Sequence, residues 1–391
     1  MTTSLAMHHS GHPLWLAGFR PFFALACLAG ASLPLAWVLM LSGVLPTSSS
    51  LARPALQWHA HEMFFGFGWA MLGGFLLTST KNWVSIRGYH GGTLMFLAAA
   101  WVFDRTGMAF GATWPPLLFW LSNTLFLATI VALLMWTLIR HRAQDSYRDN
   151  IYFLFALPLF LPAKWLLLSD FTAGWSMTLA LFRLVFLIML ERTLTQFMKG
   201  VFQLSLPRIA PLDHGIKTLA LLLVFGHLLP PVLASDTALL LTLLLGARWL
   251  LWQPQVALRR LDIGIMYLGY LAIIAQLLIE FLGQFGGSDL VGAVSVHLFT
   301  FGAMGLITPA MIVRISRGHT GRKVAFDGLD KATLWLMLAG LFVRVLVPQL
   351  APSAYLLWMG LAAVFWLGCF GLLAWRYVPF LMRPRVDGKE H

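Results

Sequence analysis

The chain has 391 residues, of which 59% are hydrophobic and only 11% are charged, with a mean hydropathy of +0.79. A soluble domain of this composition would be unable to bury its apolar surface, so a soluble globular protein is excluded and a polytopic membrane protein is predicted. The net charge of +12 does not indicate nucleic-acid binding, because the basic residues fall in short segments between apolar runs, a pattern typical of membrane topology.

Twelve segments are apolar enough to cross the hydrocarbon core of a bilayer, which takes about 20 helical residues. The connections are short and rich in Pro, Gly and charge, so function is expected inside the bundle. We predict an all-α integral membrane protein, with residues 1–391 forming one polytopic domain of about twelve transmembrane helices. The predicted spans lie near residues 20–44, 58–80, 91–110, 116–139, 151–168, 174–197, 215–233, 238–256, 263–283, 291–313, 331–348 and 353–375.

Lys and Arg are distributed unevenly between the two sides of this bundle. Most of the 27 fall in the N-terminal segment, in the loops after the even-numbered spans and in the C-terminal tail, whereas Arg53 and Arg105 lie on the opposite side. The positive-inside rule therefore predicts that both termini are cytoplasmic. The other basic residues fall within spans: Lys164, Arg183, Arg192, Arg248 and Arg344.

Histidines are concentrated in the predicted outer half. His59 and His61 open the second span, His297 lies near the start of the tenth, and His227 is near the end of the seventh. Ionisable groups inside a membrane are costly and usually mark a site, a pathway or an internal ion pair. Charged residues at the same depth are Glu62, Glu280 and Arg344.

The spacing of the first pair indicates different roles. His59 and His61 are about 200° apart around a helix, so they cannot face one ligand from the same regular turn. Glu62 lies on the face of His59, three residues on. We expect one histidine to face a cofactor, while the other meets a second metal, a propionate or a neighbouring helix.

An internal similarity favours His61 as the cofactor ligand. His61 is followed by EMFF and Gly66, and His297 is followed by LFTF and Gly302. Small residues near both histidines allow close approach of a backbone or a flat macrocycle. We hypothesise that His61 and His297 are facing haem ligands. The alternative for each is an interhelical hydrogen bond.

Several segments resemble the signature segments of the NnrS family, which are multi-span membrane proteins associated with the bacterial response to nitric oxide and described as containing haem and copper. These are GFRPFF at 18–23, WHAHEM with the following GF at 58–67, HLFTFGAMG at 297–305 and RISRGHTGR at 314–322. One departure is ERTLTQF at 191–197, where a Gly-Gly-Arg segment leading into a Phe-Thr pair is expected. Glu191 introduces a buried acid there.

The resemblance implies a haem and copper, or a second haem or other metal. No C-x-x-C-H sequence occurs, so we expect a non-covalent haem b. Imidazole suits both haem iron and copper, and the metal ligands are expected among His59, His61, His297 and His319. Glu62 and Glu280 are expected to carry protons, and Arg344 to pair with an acid or with haem propionates.

A second group of residues lies on the predicted inner face: Arg20, Glu191, Arg192, Arg314 and His319. Glycines flank His319, so its backbone can fold closely around a partner. A second haem, a quinone head group or a copper ion would fit here, and we expect Arg20, Arg314 and His319 to bind a cofactor. A salt-bridged structural cluster, or a basic loop held to lipid phosphate, is the alternative.

Three functions are compatible with these features. The favoured one is a haem enzyme of the bacterial inner membrane, surrounded by membrane lipid, that reduces or removes nitric oxide with electrons from quinol. The second is a haem-based binder or sensor that captures nitric oxide without turnover. The third is a metal or anion transporter. It is disfavoured because neither an inverted repeat nor a pair of broken helices is evident in the sequence.

Overall fold

The computed structural model describes residues 11–45, 51–285 and 290–389, and a helix overlaps each predicted span, the seventh only in part. No strand occurs in these ranges, so the prediction of an all-α protein is confirmed. In chain order the helices are α1 Phe19–Leu41, α2 Ala55–Trp83, α3 Gly92–Phe110, α4 Pro116–Arg140, α5 Ile151–Ser169, α6 Phe171–Phe202, α7 Ala210–Leu222, α8 Pro231–Leu251, α9 Leu261–Leu282, α10 Val294–Gly318, α11 Gly328–Val345 and α12 Tyr355–Leu381.

Ten helices in the described part of the chain are long and apolar enough to cross a membrane. The chain is therefore a multi-pass membrane protein. Two of the twelve helices, α3 and α7, are not among the ten. The second of these is only 13 residues long and continues as the short 3₁₀ helix Leu223–Leu228.

Three helices form the centre of the bundle. In the 18-residue apolar windows of α2, α6 and α10, 83%, 78% and 78% of the residues are buried within the protein, whereas the share is between 33% and 50% in the other candidate spans. The outer helices pack around these three, with α1 against α12, α3 against α4, and α8 against α9. Any site inside the bundle therefore has to be built around α2, α6 and α10.

The two ends of the helical chain meet at one end of the bundle. Arg20, in the first turn of α1, is buried and donates hydrogen bonds from Nη1 to the carbonyls of Leu381 (2.6 Å) and Arg383 (2.8 Å) at the end of α12. We call this the basic end, because the loops that carry most of the Lys and Arg residues lie here. That it faces the cytoplasm stays a prediction.

Central helices α2 and α10 share a backbone irregularity. Each contains a seven-residue π-helical segment, Glu62–Gly68 in α2 and Leu298–Met304 in α10. These segments begin directly after His61 and His297, so the internal similarity in the sequence corresponds to a shared structural feature. π-Helical turns are rare and are found frequently at functional sites.

Small residues allow α9 and α10 to approach closely beside the second π segment. A Cβ atom on Gly302 would lie 2.7 Å from Cβ of Ala272, and one on Gly269 would lie 2.6 Å from Cγ1 of Ile307. Both distances are shorter than a normal carbon–carbon contact. Glycine is therefore required at both positions for this packing.

A buried network of charges joins α6, α7 and α8 near the basic end. Glu191 is fully buried and pairs with Arg208, with Lys217 Nζ at 3.0 Å and with Arg248 Nη1 at 3.1 Å. Lys217 also pairs with Asp149 at 2.9 Å. Glu191 is thus the acid around which three basic side chains are held.

We predict that Glu191→Gln lowers the free energy of unfolding by about 3–5 kcal/mol, because the substitution removes the fully buried negative charge that three basic side chains share and leaves the buried Arg248 with only its longer contact to Asp213. The measurement is reversible unfolding of the purified protein in detergent. Asp236→Asn, at an exposed acid of α8, is the matched control and is expected to change the value by less than about 0.5 kcal/mol. Equal effects of the two substitutions would contradict the role given to Glu191.

Candidate functional site

A cavity of about 310 Å³ lies at the end of the bundle opposite the basic end, where α2 and α10 begin. Side chains from six helices line it, and most of them are aromatic, aliphatic or alanine. The polar groups in its wall come from His59, Thr300, His297 and Arg344. We call this space the histidine cavity.

The structure brings His59 and His297 to the same cavity. The His59 ring stacks on Trp37 of α1, with ring centroids 4.6 Å apart and an interplanar angle of 15°. His297 Nδ1 lies 2.7 Å from the carbonyl oxygen of Ala293. A carbonyl can only accept, so Nδ1 carries the proton, and Nε2 of His297 presents its lone pair.

Arg344 contacts His297 in this cavity. Its Nη2 lies 3.2 Å from Nε2 and 3.4 Å from Nδ1 of His297. No carboxylate among the described residues lies within ion-pair distance of Arg344, in contrast to the buried Arg183, Arg192, Arg248 and Arg314. The predicted pairing of Arg344 with an acid is therefore not seen in the described residues.

Two further polar atoms at the cavity lack a hydrogen-bond partner among the described residues. These are Nδ1 of His59 and Nε1 of Trp366, and both atoms are buried. Trp366 also packs edge-on against Phe301, with ring centroids 4.7 Å apart. Buried polar groups are normally hydrogen-bonded, so unpartnered ones at a cavity wall are suited to a ligand with polar atoms.

His61 does not line this cavity. It is fully buried on another side of α2, where its Nδ1 lies 3.0 Å from Oε1 of Glu62. Asn123 lies beside the same ring, and Nε2 of His61 has no geometrically acceptable hydrogen bond within the described ranges. His59 rather than His61 is the histidine of α2 that shares a cavity with His297. Because His59 and His61 are about 200° apart around the helix, only one of them can face this cavity.

Glu62 belongs to a buried charge cluster that joins α2, α3 and α5. Its Oε2 lies 3.1 Å from Arg105 Nε, and Arg105 Nη2 lies 2.8 Å from Asp104 Oδ2. Lys164 Nζ lies 2.5 Å from the same Asp104 oxygen. The expectation that Glu62 shares a face with His59 is therefore wrong in this structure, because its carboxylate turns towards Arg105 and His61.

Glu280 lies at the same end of the bundle, in the last turns of α9. Its side chain is 31% exposed and pairs with Arg183 Nη1 at 3.0 Å. The same Arg183 nitrogen donates to Gln276 Oε1 at 2.8 Å, and Gln276 Nε2 donates to Ser295 Oγ at 3.4 Å. A hydrogen-bonded chain thus runs from the protein surface to a residue two positions before His297.

The predicted inner-face residues occupy separate local structures at the basic end. Arg314 pairs with Asp262 at 2.5 Å and lies over the ring of Phe197. His319 ends α10, and its ring lies 5.4 Å from that of Phe19. Burial, aided by nearby Lys81 and Arg385, lowers the pKa of His319 to about 4, so this imidazole is neutral at neutral pH.

Arg20, Arg314 and His319 therefore do not converge on one cavity. Arg20 binds the end of α12, as described above, while Glu191 and Arg192 belong to the network of α6 and α7. Within residues 11–45, 51–285 and 290–389, no group of three or more His, Cys, Asp or Glu side chains is arranged to hold a metal ion.

Two cavity residues were missed by sequence reasoning. Trp37 and Trp366 are not among the predicted site residues, yet both line the cavity, where Trp37 stacks on His59 and Nε1 of Trp366 has no hydrogen-bond partner in the described residues. Neither stands in a motif with a histidine or a charge. Only the packing of α1 and α12 on the central helices reveals them.

Fold and cavity together define a class: an all-α multi-pass membrane protein with a ligand cavity of histidine, arginine and aromatic side chains at one end of the bundle. The family model described as NnrS protein matches residues 13–385, and the chain belongs to the NnrS family. No curated protein matches the sequence.

The charge cluster around Glu62 makes a prediction about stability. Asp104→Asn and Lys164→Met are each expected to lower the free energy of unfolding by about 3–5 kcal/mol, because the first leaves the buried Lys164 without its ion-pair partner and the second leaves the buried Asp104 with Arg105 alone. The double variant is expected to lose less than the sum, because it removes both charges. A double-mutant cycle by unfolding in detergent measures this, and effects that add within about 0.5 kcal/mol would refute the pairing.

Proposed function

We propose that the chain is a haem protein of the bacterial inner membrane that removes nitric oxide, with the haem in the histidine cavity. The observation that carries the proposal is that two imidazoles and an arginine without a carboxylate partner line one cavity in a member of the NnrS family. Membership of that family fits a role in the nitric oxide response.

The residues of the cavity fit a haem. A bound haem would supply an iron that binds a diatomic gas and exchanges electrons. His297 is oriented for ligation, since its Nδ1–H is held by the Ala293 carbonyl and Nε2 is the nitrogen left to bind a metal. His59, held flat against Trp37, is the second imidazole. The apolar wall would exclude water from a bound haem, and the haem would be held non-covalently because the sequence has no C-x-x-C-H.

Arg344 is the cation suited to haem propionates. Charge-assisted hydrogen bonds between a guanidinium and a carboxylate are short and strong, and Arg344 has no carboxylate partner of its own within the described residues. Its contact with His297 is a weaker interaction between a cation and a neutral ring. Binding of a propionate would therefore draw Arg344 away from Nε2 of His297.

Reduction of nitric oxide would need a supply of protons and electrons. Two molecules of nitric oxide, two electrons and two protons give nitrous oxide and water, and oxidation of one quinol to quinone supplies both the electrons and the protons. Glu280 is the better placed of the two predicted proton carriers, because its chain of partners leads towards His297. Glu62 faces Arg105, so its role in delivering protons to this cavity is less direct.

A non-catalytic nitric oxide binder or sensor is the second candidate function. It needs the same haem cavity but no path for protons, and the position of Glu62 away from the cavity favours it. No observation in the described residues favours a metal or anion transporter.

Substitution of the three histidines tests which of them hold the haem. We predict that His59→Ala and His297→Ala each lower the haem content of the purified protein, while His61→Ala retains it, because only the first two line the cavity. Haem content is measured as the ratio of haem absorbance to protein. His90→Ala, at an exposed loop histidine, is the control. Loss of haem from His61→Ala alone would overturn the assignment.

An anaerobic assay of haem-loaded protein with quinol and nitric oxide tests the function. Loss of nitric oxide over many turnovers per haem, with formation of nitrous oxide, is the expected result. Glu280→Gln is then expected to slow turnover by about 10²-fold or more, as loss of a proton-transfer group does, without altering the nitrosyl spectrum. Uptake that stops at one nitric oxide per haem would identify a binder. Folded protein that cannot bind haem would refute both the enzyme and the binder.

A further inference from the structure

A second, smaller cavity lies deeper in the bundle, among α2, α6, α9 and α10. Its volume is about 60 Å³, which is too small for a haem or a quinol head group. Methionine thioethers from four helices form much of its wall. They are Met71, Met189, Met266, Met304 and Met311. We call this space the methionine cavity.

The methionine cavity is almost wholly apolar. Thr193 and Thr308 carry the only side-chain hydroxyls in its described lining, and the hydroxyl of Thr193 donates to the carbonyl of Met189 at 2.9 Å. A water molecule needs two to four polar partners to occupy a buried cavity, whereas apolar cavities stay dry and accept guests such as xenon. The lining therefore favours a small apolar guest over water.

Its position relates it to the histidine cavity. Phe64 of α2 and Phe301 of α10 line the histidine cavity, while Gly68 and Met304, about one turn further along the same helices, line the methionine cavity. The two spaces thus follow one another along the two π-helical segments. Rotamer changes of side chains open and close passages without any movement of the helices.

We propose that the methionine cavity holds an apolar diatomic gas next to the haem cavity, and the proposal rests on the nitric oxide function given above. Nitric oxide is small and apolar enough to dissolve in the lipid and in this cavity. Its concentration beside the histidine cavity would then exceed that in water, because transfer from water into an apolar space is favourable. Flexible methionine side chains adapt readily to such a guest.

Xenon is the probe for this cavity, because it is apolar and its position can be measured directly. Crystals of the full-length, haem-loaded protein pressurised with xenon are expected to show an anomalous peak among Met71, Met189 and Met304. This measurement needs no substitution. The absence of xenon from the methionine cavity would overturn the proposal.

A variant that fills the methionine cavity tests whether this cavity contributes to nitric oxide binding. Val185→Phe places a larger side chain in the lining, and Val131→Phe is the matched control at a buried valine of α4 outside the lining. Loss of the xenon peak and slower nitric oxide binding to the reduced haem are expected for the first variant only. Unchanged binding kinetics in a Val185→Phe protein that has lost the xenon peak would refute the proposal.

The outcomes separate this inference from the proposed function. Protein that binds xenon in the methionine cavity but contains no haem would refute the function and leave an apolar cavity without a gas-binding haem. Protein whose haem binds nitric oxide, but whose methionine cavity takes up no xenon, would refute the inference alone.

Discussion

The π-helical segments of α2 and α10 are the constraint around which the centre of the molecule is organised. A π turn widens the helix and disturbs the regular i to i−4 hydrogen bonds, which is costly where lipid and protein offer no water to replace them. The structure compensates locally: Nε1 of Trp101 donates to the carbonyl of Gly66 at 3.0 Å, and the Thr300 hydroxyl donates to the carbonyl of Val296. A side chain of the neighbouring α3 therefore helps to hold the irregular backbone of α2, whereas a side chain of α10 itself does so beside His297.

The sequence predicted the fold more completely than the site. Length and hydropathy identify apolar helices because the cost of burying polar groups in lipid is large and acts on every residue of a span. The repeated pattern of a histidine followed by aromatic residues and a glycine also corresponded to a repeated backbone feature. The same pattern favoured His61 as the partner of His297, whereas His59 is the histidine of α2 that lines a cavity with His297. The pattern aligned positions along two helices but carried no information about their rotation, which packing against α1 and α3 decides.

Charged residues show the same division between what a sequence determines and what it leaves open. Within a bundle this apolar, a charge such as Arg183, Arg248 or Glu191 must find a partner, and each has one. Which partner it finds depends on the relative height and rotation of helices that are distant in the chain. Arg248, for example, pairs across 57 positions with Glu191. The predicted inner-face residues therefore lie in three separate local structures. Arg20 is hydrogen-bonded to the end of α12, Arg314 forms an ion pair, and Glu191 belongs to the buried charge network.

The two histidines that precede the π segments differ in how their neighbouring arginines are neutralised. Arg105 reaches from α3 to the His61 side of α2, where Glu62 and Asp104 balance its charge and that of Lys164. Arg344 reaches from α11 to His297 in a similar way, but its partners among the described residues are uncharged: the His297 imidazole and the ring of Tyr355. A cation in an apolar wall gains most from an anionic partner. The first environment is therefore electrostatically complete, whereas the second favours a ligand that brings carboxylates, which the propionates of a haem would supply.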